Sequence, residues 1–346
     1  TSRLTKVDKG NTVTDYDPEE IERKISINSA ACFCEWKDHK INIIDTPGYS
    51  NFLWDTRASL RAVDAAAVII DSVAGVEVGT EKVWDMLEDL GLPRLIVINK
   101  MDRENANFKR SVEVVQQFFG RQAIPVELPI GEEKDFSGVV DVIEKKAYMF
   151  ERDESGAMKE APVPANMTDE TERMNRALVE MVAESDEKLM EKYFEKGELS
   201  SDEFRQGLKK GILKRLIFPV FAASGLTNVG AQPFLDGILT FLPSPVERDG
   251  ISAKVKGQEQ TVEPSADAPF SALVFKTISD PYTGRISLMR VFSGRVNPDA
   301  NVTNSTRETD EKLVGLFFLQ GKDQIAAGQA KAGDLVATAK LKATST

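Results

Sequence analysis

The sequence predicts an α/β protein with a mostly parallel sheet, interrupted by an inserted α+β subdomain and followed by an antiparallel β-barrel. Three observations carry this. Short, nearly continuous, β-branched apolar runs recur at Ile41-Asn42-Ile43-Ile44, Ala65 to Ile70, Leu95-Ile96-Val97-Ile98 and Ile217 to Phe221, as buried parallel strands read. Helical patterns separate most of them, at Glu81 to Leu90 and Ser111 to Phe119, which is the alternation of an α/β fold. Beyond Ser265 only strand and turn patterns remain, as in a small barrel. A chain of 346 residues has room for about two to three such bodies.

Taken in order, residues 1–16 are polar and turn-rich. Asp17-Pro18-Glu19-Glu20 reads as a helix start, with Asp as the cap, Pro at the first position and Glu three residues after the cap. The strand and helix alternation then runs to about residue 124. Between Pro125 and Arg215 it changes: a strand-like Gly138-Val139-Val140-Asp141-Val142-Ile143 precedes helices at Asp169–Ser185, Asp186–Lys196 and Ser201–Leu216. The sheet pattern resumes at Ile217, so residues 125–215 read as an insertion into one domain made of 1–124 and 216–245. Leu242-Pro243-Ser244-Pro245 ends the last helix, since neither proline continues it. The polar stretch from Glu247 to Ala266 reads as a linker, which places the linker at residues 246–264. Residues 265–346 then carry barrel strands at Phe270–Thr277, Ile286–Phe292, Leu313–Leu319 and Leu335–Leu341, divided by turns at Asp280-Pro281-Tyr282-Thr283-Gly284 and Asn297-Pro298-Asp299.

Composition narrows the function. No apolar run approaches the roughly 18 residues that span a bilayer. A net charge of −11 argues against indiscriminate nucleic-acid binding, though not against a local, shape-specific contact. The charge is uneven: residues 265–346 are net +2 and the rest net −13, as for bodies with separate partners. The two cysteines, Cys32 and Cys34, fall on one face of a strand, but zinc needs four ligands and no second pair exists. So few thiols in so long a chain fit a reducing cytoplasm.

Three polar segments end apolar runs, where open α/β sheets hold their ligands: Asp45-Thr46-Pro47-Gly48, Asn99-Lys100-Met101-Asp102 and Ala223-Ser224-Gly225-Leu226. Together they predict a guanine-nucleotide site. Guanine offers N1–H and an exocyclic amine side by side, and the Asp102 carboxylate accepts both. Adenine would leave that carboxylate desolvated and unpaired, at a cost on the order of 1–3 kcal/mol. Lys100 lays its alkyl stem against the base, Asn99 ties the loops together, and a backbone N–H near Ser224 and Gly225 meets the base O6. Asp45 suits an outer ligand of Mg²⁺, a hard ion that prefers oxygen. The Gly48 N–H can approach a γ-phosphate because no side chain blocks it.

On these motifs the chain resembles bacterial elongation factor G, as a divergent paralogue, from end to end. Glu22-Arg23-Lys24-Ile25-Ser26-Ile27 resembles the family's first switch segment and Asp45 to Tyr49 its second. Asn99 to Asp102 and Ser224 to Leu226 resemble its base-reading loops. Gly138-Val139-Val140-Asp141 and Leu189-Met190-Glu191-Lys192-Tyr193 resemble its inserted G-prime subdomain. Phe241-Leu242-Pro243-Ser244-Pro245 and Pro269-Phe270-Ser271-Ala272-Leu273 resemble the passage into its second domain. The resemblance implies a P-loop-NTPase-like sheet with helices on both faces, GTP/GDP and Mg²⁺ as ligands with Ser26 and Asp45 on the metal, and Tyr49 and Gly48 at the hydrolytic position. It also implies a cytoplasmic, monomeric GTPase that meets ribosomal RNA and a stalk protein during translocation or recycling. Ribosomal-protection or release-type GTPases, and a GTP-gated ribosome-binding protein that hydrolyses slowly or not at all, are the alternatives.

Four departures qualify that expectation. No G-x-x-x-x-G-K-[ST] phosphate loop occurs; the sole Gly-Lys, Gly321-Lys322, precedes Asp323. The 346-residue chain is therefore expected to bind GTP weakly. Tyr49 stands where the family has a His that positions water, so slower or differently gated hydrolysis is expected. Ser26 replaces the switch threonine, and Lys24 replaces a glycine. The family's three further domains have no counterpart here, and functions that need them are not expected of this chain alone.

Overall fold

The computed structural model describes residues 5–151, 153, 155–248, 250–255, 258–280 and 284–346. The chain packs as two compact units, one of residues 5–64 with 243–346 and the other of residues 65–242. This division differs from the expected boundaries, because the first sixty residues pack with the barrel.

In the first unit, helix α1 (Pro18–Arg23) starts as expected: Asp17 and Glu20 form a reciprocal capping box with Pro18 at the first position. Strands β1 (Ala30–Trp36) and β2 (His39–Asp45) follow as an antiparallel hairpin. The expectation of a buried parallel strand at Ile41–Ile44 is thereby corrected. The cause is the two-residue turn Lys37-Asp38, whose φ values of 45° and 61° are those of the primed turn that matches strand twist. Helix α2 (Leu53–Leu60) buries Asp55, Thr56 and Ser59 beside its two leucines.

The second unit opens with β3 (Ala66–Asp71), α3 (Val78–Asp89), β4 (Arg94–Asn99), α4 (Phe108–Phe119) and β5 (Ala123–Pro125). An antiparallel sheet of β6 (Glu127–Ile130), β7 (Gly138–Asp141), β8 (Lys146–Phe150) and β9 (Met158–Ala161) comes next. Helices α5 (Thr168–Glu184), α6 (Glu187–Lys196) and α7 (Ser201–Leu213) complete the α+β insert. Strand β10 (Phe218–Ala222) returns to the first sheet, whose order β3-β4-β10-β5 is parallel throughout. Helix α8 (Ala231–Phe241) then ends before the two prolines. The core joins Leu95 and Val97 of β4 and Phe221 of β10 to Leu178, Val182, Leu208 and Ile212 of the insert's helices. Arg94 is buried at the start of β4, stacked 4.4 Å from the Trp84 ring and paired with Glu88 at 2.9 Å.

Back in the first unit, the stretch expected as a linker instead forms a hairpin of β11 (Ile251–Val255) and β12 (Gln258–Val262). The barrel strands follow: β13 (Ser271–Asp280), β14 (Gly284–Ser293), β15 (Arg295–Val296), β16 (Asn301–Asn304), β17 (Thr309–Lys312), β18 (Val314–Gln320), β19 (Asp323–Ala326), β20 (Ala330–Lys331) and β21 (Leu335–Ala339). Of the expected turn 280–284, residues 281–283 lie outside the described residues. The five-stranded antiparallel sheet β13-β14-β21-β18-β19 buries Phe275, Leu288 and Leu335 against Ala31 of β1 and Ala62 just beyond α2. Two polar anchors, one buried at Asp55 and one half-buried at Asp64, join α2 and its sequel to the barrel. Asp55 accepts Lys276 Nζ and the Ser29 N–H, each at 2.5 Å. Asp64 accepts Arg290 at 2.7 Å and Arg248 at 3.4 Å.

Candidate functional site

The parallel register decides what meets at the sheet's C-terminal edge. Asp71 pairs with Asn99 and Ile98 with Ala222, so the tips of β3, β4 and β10 lie side by side. The Ala223 N–H donates to Ile98 O at 2.9 Å and the Met101 N–H to Ala223 O at 3.2 Å, interlacing the two loops. Asn99 Oδ1 accepts the Gly225 N–H at 3.0 Å, the tying role expected of it. Ser224 Oγ donates to Asp102 Oδ1 at 2.5 Å and accepts the Thr227 N–H at 3.1 Å. Met101 is fully buried beneath the loop, and Leu226 is exposed beside it. Asn99, Lys100, Met101, Asp102, Ser224, Gly225 and Leu226 thus form one cluster.

The backbone narrows which amide near Ser224 and Gly225 is available. The Ser224 N–H donates to Val229 O at 2.9 Å and the Gly225 N–H is taken by Asn99, so neither amide is available to a base O6. Among the described residues no acceptor meets the Leu226 N–H. The turn geometry that does this, with Asn228 at φ 59° and a Ser224–Val229 bridge, leaves no mark in the motif itself.

Sequence reasoning missed Asp71. Its Oδ2 accepts Lys100 Nζ and Arg103 NH1, both at 2.9 Å, and its Oδ1 accepts the Val73 and Ala74 amides. Burial acts to raise the carboxyl, but the Lys100 hydrogen bond and the two amides outweigh it and hold it at about 2. The available signal was its place at a strand tip, like Asp45 and Asn99. Ser72 Oγ donates to Lys100 O at 2.9 Å, holding Lys100 in a left-handed backbone of φ 61°.

The remaining expected residues belong to the other unit. Asp45 ends β2, and burial pushes its carboxyl up, with the nearby Asp15 adding to the rise and a Thr14 hydrogen bond opposing it. Ser26 Oγ donates to Asp15 Oδ1 at 2.7 Å, and the Asp15 charge is near enough to Asp45 to be felt there. This oxygen-only set has the donor chemistry of a hard cation, although among the described residues no group of three His, Cys, Asp or Glu forms a ready metal cage. Thr46, Pro47, Gly48 and Tyr49 lead into α2, pinned where Thr56 Oγ donates to Pro47 O at 3.2 Å. Among the described residues no atom lies within 4 Å of where a Gly48 Cβ would stand, so the surrounding packing does not demand glycine there. Tyr49 is 59% exposed. Lys24 caps α1 at φ 56°, the left-handed conformation a glycine would favour.

A carboxylate, an amide and a hydroxyl gathered on adjoining loops at the tips of a parallel sheet stand where open α/β domains bind their ligands. The sequence matches the family "Elongation factor Tu GTP binding domain" over residues 1–244 and "Elongation factor G domain 2" over residues 269–346. The chain belongs to the elongation factor G family of translational GTPases. A crystal structure of a protein from Thermus thermophilus matches 99% of this chain with a TM-score of 0.87 at 31% identity. The chain spans about half of that protein, covering 49% of its length.

Proposed function

We propose that this chain supplies the guanine-reading site and second domain of an elongation-factor-G-like GTPase that acts on the ribosome in translocation or recycling. The observation that supports this best is the Asn99–Gly225 and Ser224–Asp102 pair of bonds, which fixes one carboxylate at the mouth of two interlaced loops. Asp102 accepts N1–H and the exocyclic amine of guanine, Lys100 lies along the ring, and the Leu226 amide donates to O6. Asp45 and Ser26 would hold Mg²⁺, which supplies charge neutralisation at the phosphates. Gly48 presents its N–H to the γ-phosphate, and the Tyr49 hydroxyl orients water.

A tyrosine side chain carries no positive charge to offer at this position, which favours slow or gated hydrolysis over rapid turnover. The partners that follow from the family are ribosomal RNA and the stalk protein, met by a cytoplasmic monomer. The base-reading half is tested with Asp102→Asn, whose amide donates where the carboxylate accepted. Guanosine binding should fall at least tenfold while xanthosine, with a carbonyl in place of the amine, gains. An unchanged guanosine to xanthosine ratio would overturn the reading.

A further inference from the structure

We propose that Asp71 is a positioning residue of the guanine site, acting through Lys100. The inference rests on the base-reading role given above to the loop 99–102. Register places Asp71 beside Asn99, one residue from Lys100, so this neighbour is set by the sheet and not by a mobile loop. Asp71 is itself oriented: its Oδ1 is held by the Val73 and Ala74 amides, which leaves Oδ2 for Lys100 Nζ at 2.9 Å. The next residue, Ser72, holds the Lys100 carbonyl, and Ser111 Oγ of α4 donates to Ser72 O at 3.0 Å. Two consecutive residues of β3 and its exit therefore fix Lys100 at both backbone and ammonium.

Such a pair does little for stability. The Lys100 side chain is 52% exposed against 16% for Asp71, and exposed ion pairs of this kind contribute almost nothing measurable. What the pair does do is restrict a four-carbon stem with many rotamers. A stem that must lie flat on a purine binds more tightly if it is already ordered, because the ordering cost is then met before binding. Arg103 also reaches Asp71 Oδ2 at 2.9 Å, so the carboxylate serves two cations and Lys100 is the one whose stem borders the base loop.

The test uses the 346-residue chain and nucleosides, which need no phosphate contacts, with binding read by ligand-observed NMR. Wild type should prefer guanosine to adenosine; if it does not, the guanine reading falls and this proposal with it. Asp71→Asn should weaken guanosine about fivefold and inosine equally, since the exocyclic amine is read by Asp102. In a Lys100→Ala background, Asp71→Asn should have no further effect. Arg103→Ala keeps the Lys100–Asp71 pair and should stay within about twofold of wild type. The proposal is overturned by wild-type affinity in Asp71→Asn, by an equal loss in the Lys100→Ala background, or by a fivefold loss in Arg103→Ala.

Discussion

Lys276→Met should be among the most damaging single substitutions in the barrel unit. Asp55 on α2 is only 3% exposed, and its Oδ2 holds both Lys276 and the Ser29 amide at 2.5 Å. Removing the lysine leaves a buried carboxylate with one neutral donor, a loss of about 3–5 kcal/mol. With an m-value of about 2 kcal/mol/M in urea, the unfolding midpoint should drop by roughly 1.5–2.5 M. Hydrogen exchange at residues 53–60 and 271–280 assigns the loss to this contact. The double variant Asp55→Asn with Lys276→Met removes the orphan charge and keeps an acceptor for the Ser29 N–H, so it should recover at least half. A single variant within about 0.3 M of wild type, or a double variant no better than the single, would refute the argument.

Glu127 is 2% exposed, and burial, with the charge of Asp141, raises its carboxyl well above the ordinary value near 4.5. A raised carboxyl stabilises below its unfolded value and loses that contribution as pH climbs through the folded one. Wild type should therefore lose stability relative to Glu127→Gln from about pH 4.5 upward, by at most about 1.4 kcal/mol per pH unit, as read from urea midpoints across pH. Lys24→Gly should raise stability by about 0.5–1 kcal/mol, because φ 56° at the α1 cap suits glycine and the exposed Lys24–Asp8 pair it deletes contributes little; thermal melting checks this. On the function proposed above, Tyr49→His in the full-length protein should increase ribosome-stimulated single-turnover GTP hydrolysis, and an unchanged rate would remove Tyr49 from the chemistry.

The parallel sheet was legible because β4 and β10 are buried on both faces and so read as continuous apolar runs, and β3 carries a similar run although Ile69 is exposed. The same run at Ile41–Ile44 misled, since a half-buried hairpin strand with one Asn looks alike over four residues. The deciding feature was Lys37-Asp38, and a lysine in a left-handed turn is not a turn signal. Helix α2 escaped notice for the opposite reason: the face it buries sets Asp55, Thr56 and Ser59 beside Leu53 and Leu60, so no apolar period marks it, and the partners of Asp55 and Thr56 lie outside the helix. The hairpin at residues 251–262 is strand-like only through Ile251, Ala253 and Val255, too few apolar residues to stand out in a polar stretch.

For the site, what could be read was the chemistry each side chain must supply, and what could not was how the backbone shares it. Asp102, Asn99 and Ser224 were identifiable because a carboxylate, an amide and a hydroxyl at strand tips each have one sensible use towards a purine. Which amide near Ser224 and Gly225 is left for O6 could not be read, since the acceptors of those two, Val229 O and Asn99 Oδ1, are set by a turn closing five residues beyond Ser224 and by the neighbouring loop. Asp71 was invisible for a related reason. Its partner is 29 residues away, and only the register that sets Asp71 against Asn99 turns an ordinary strand-end acid into a neighbour of the base-reading lysine. A motif therefore reports side-chain demand, whereas the positioning of that motif is written in strand pairing, which no local pattern contains.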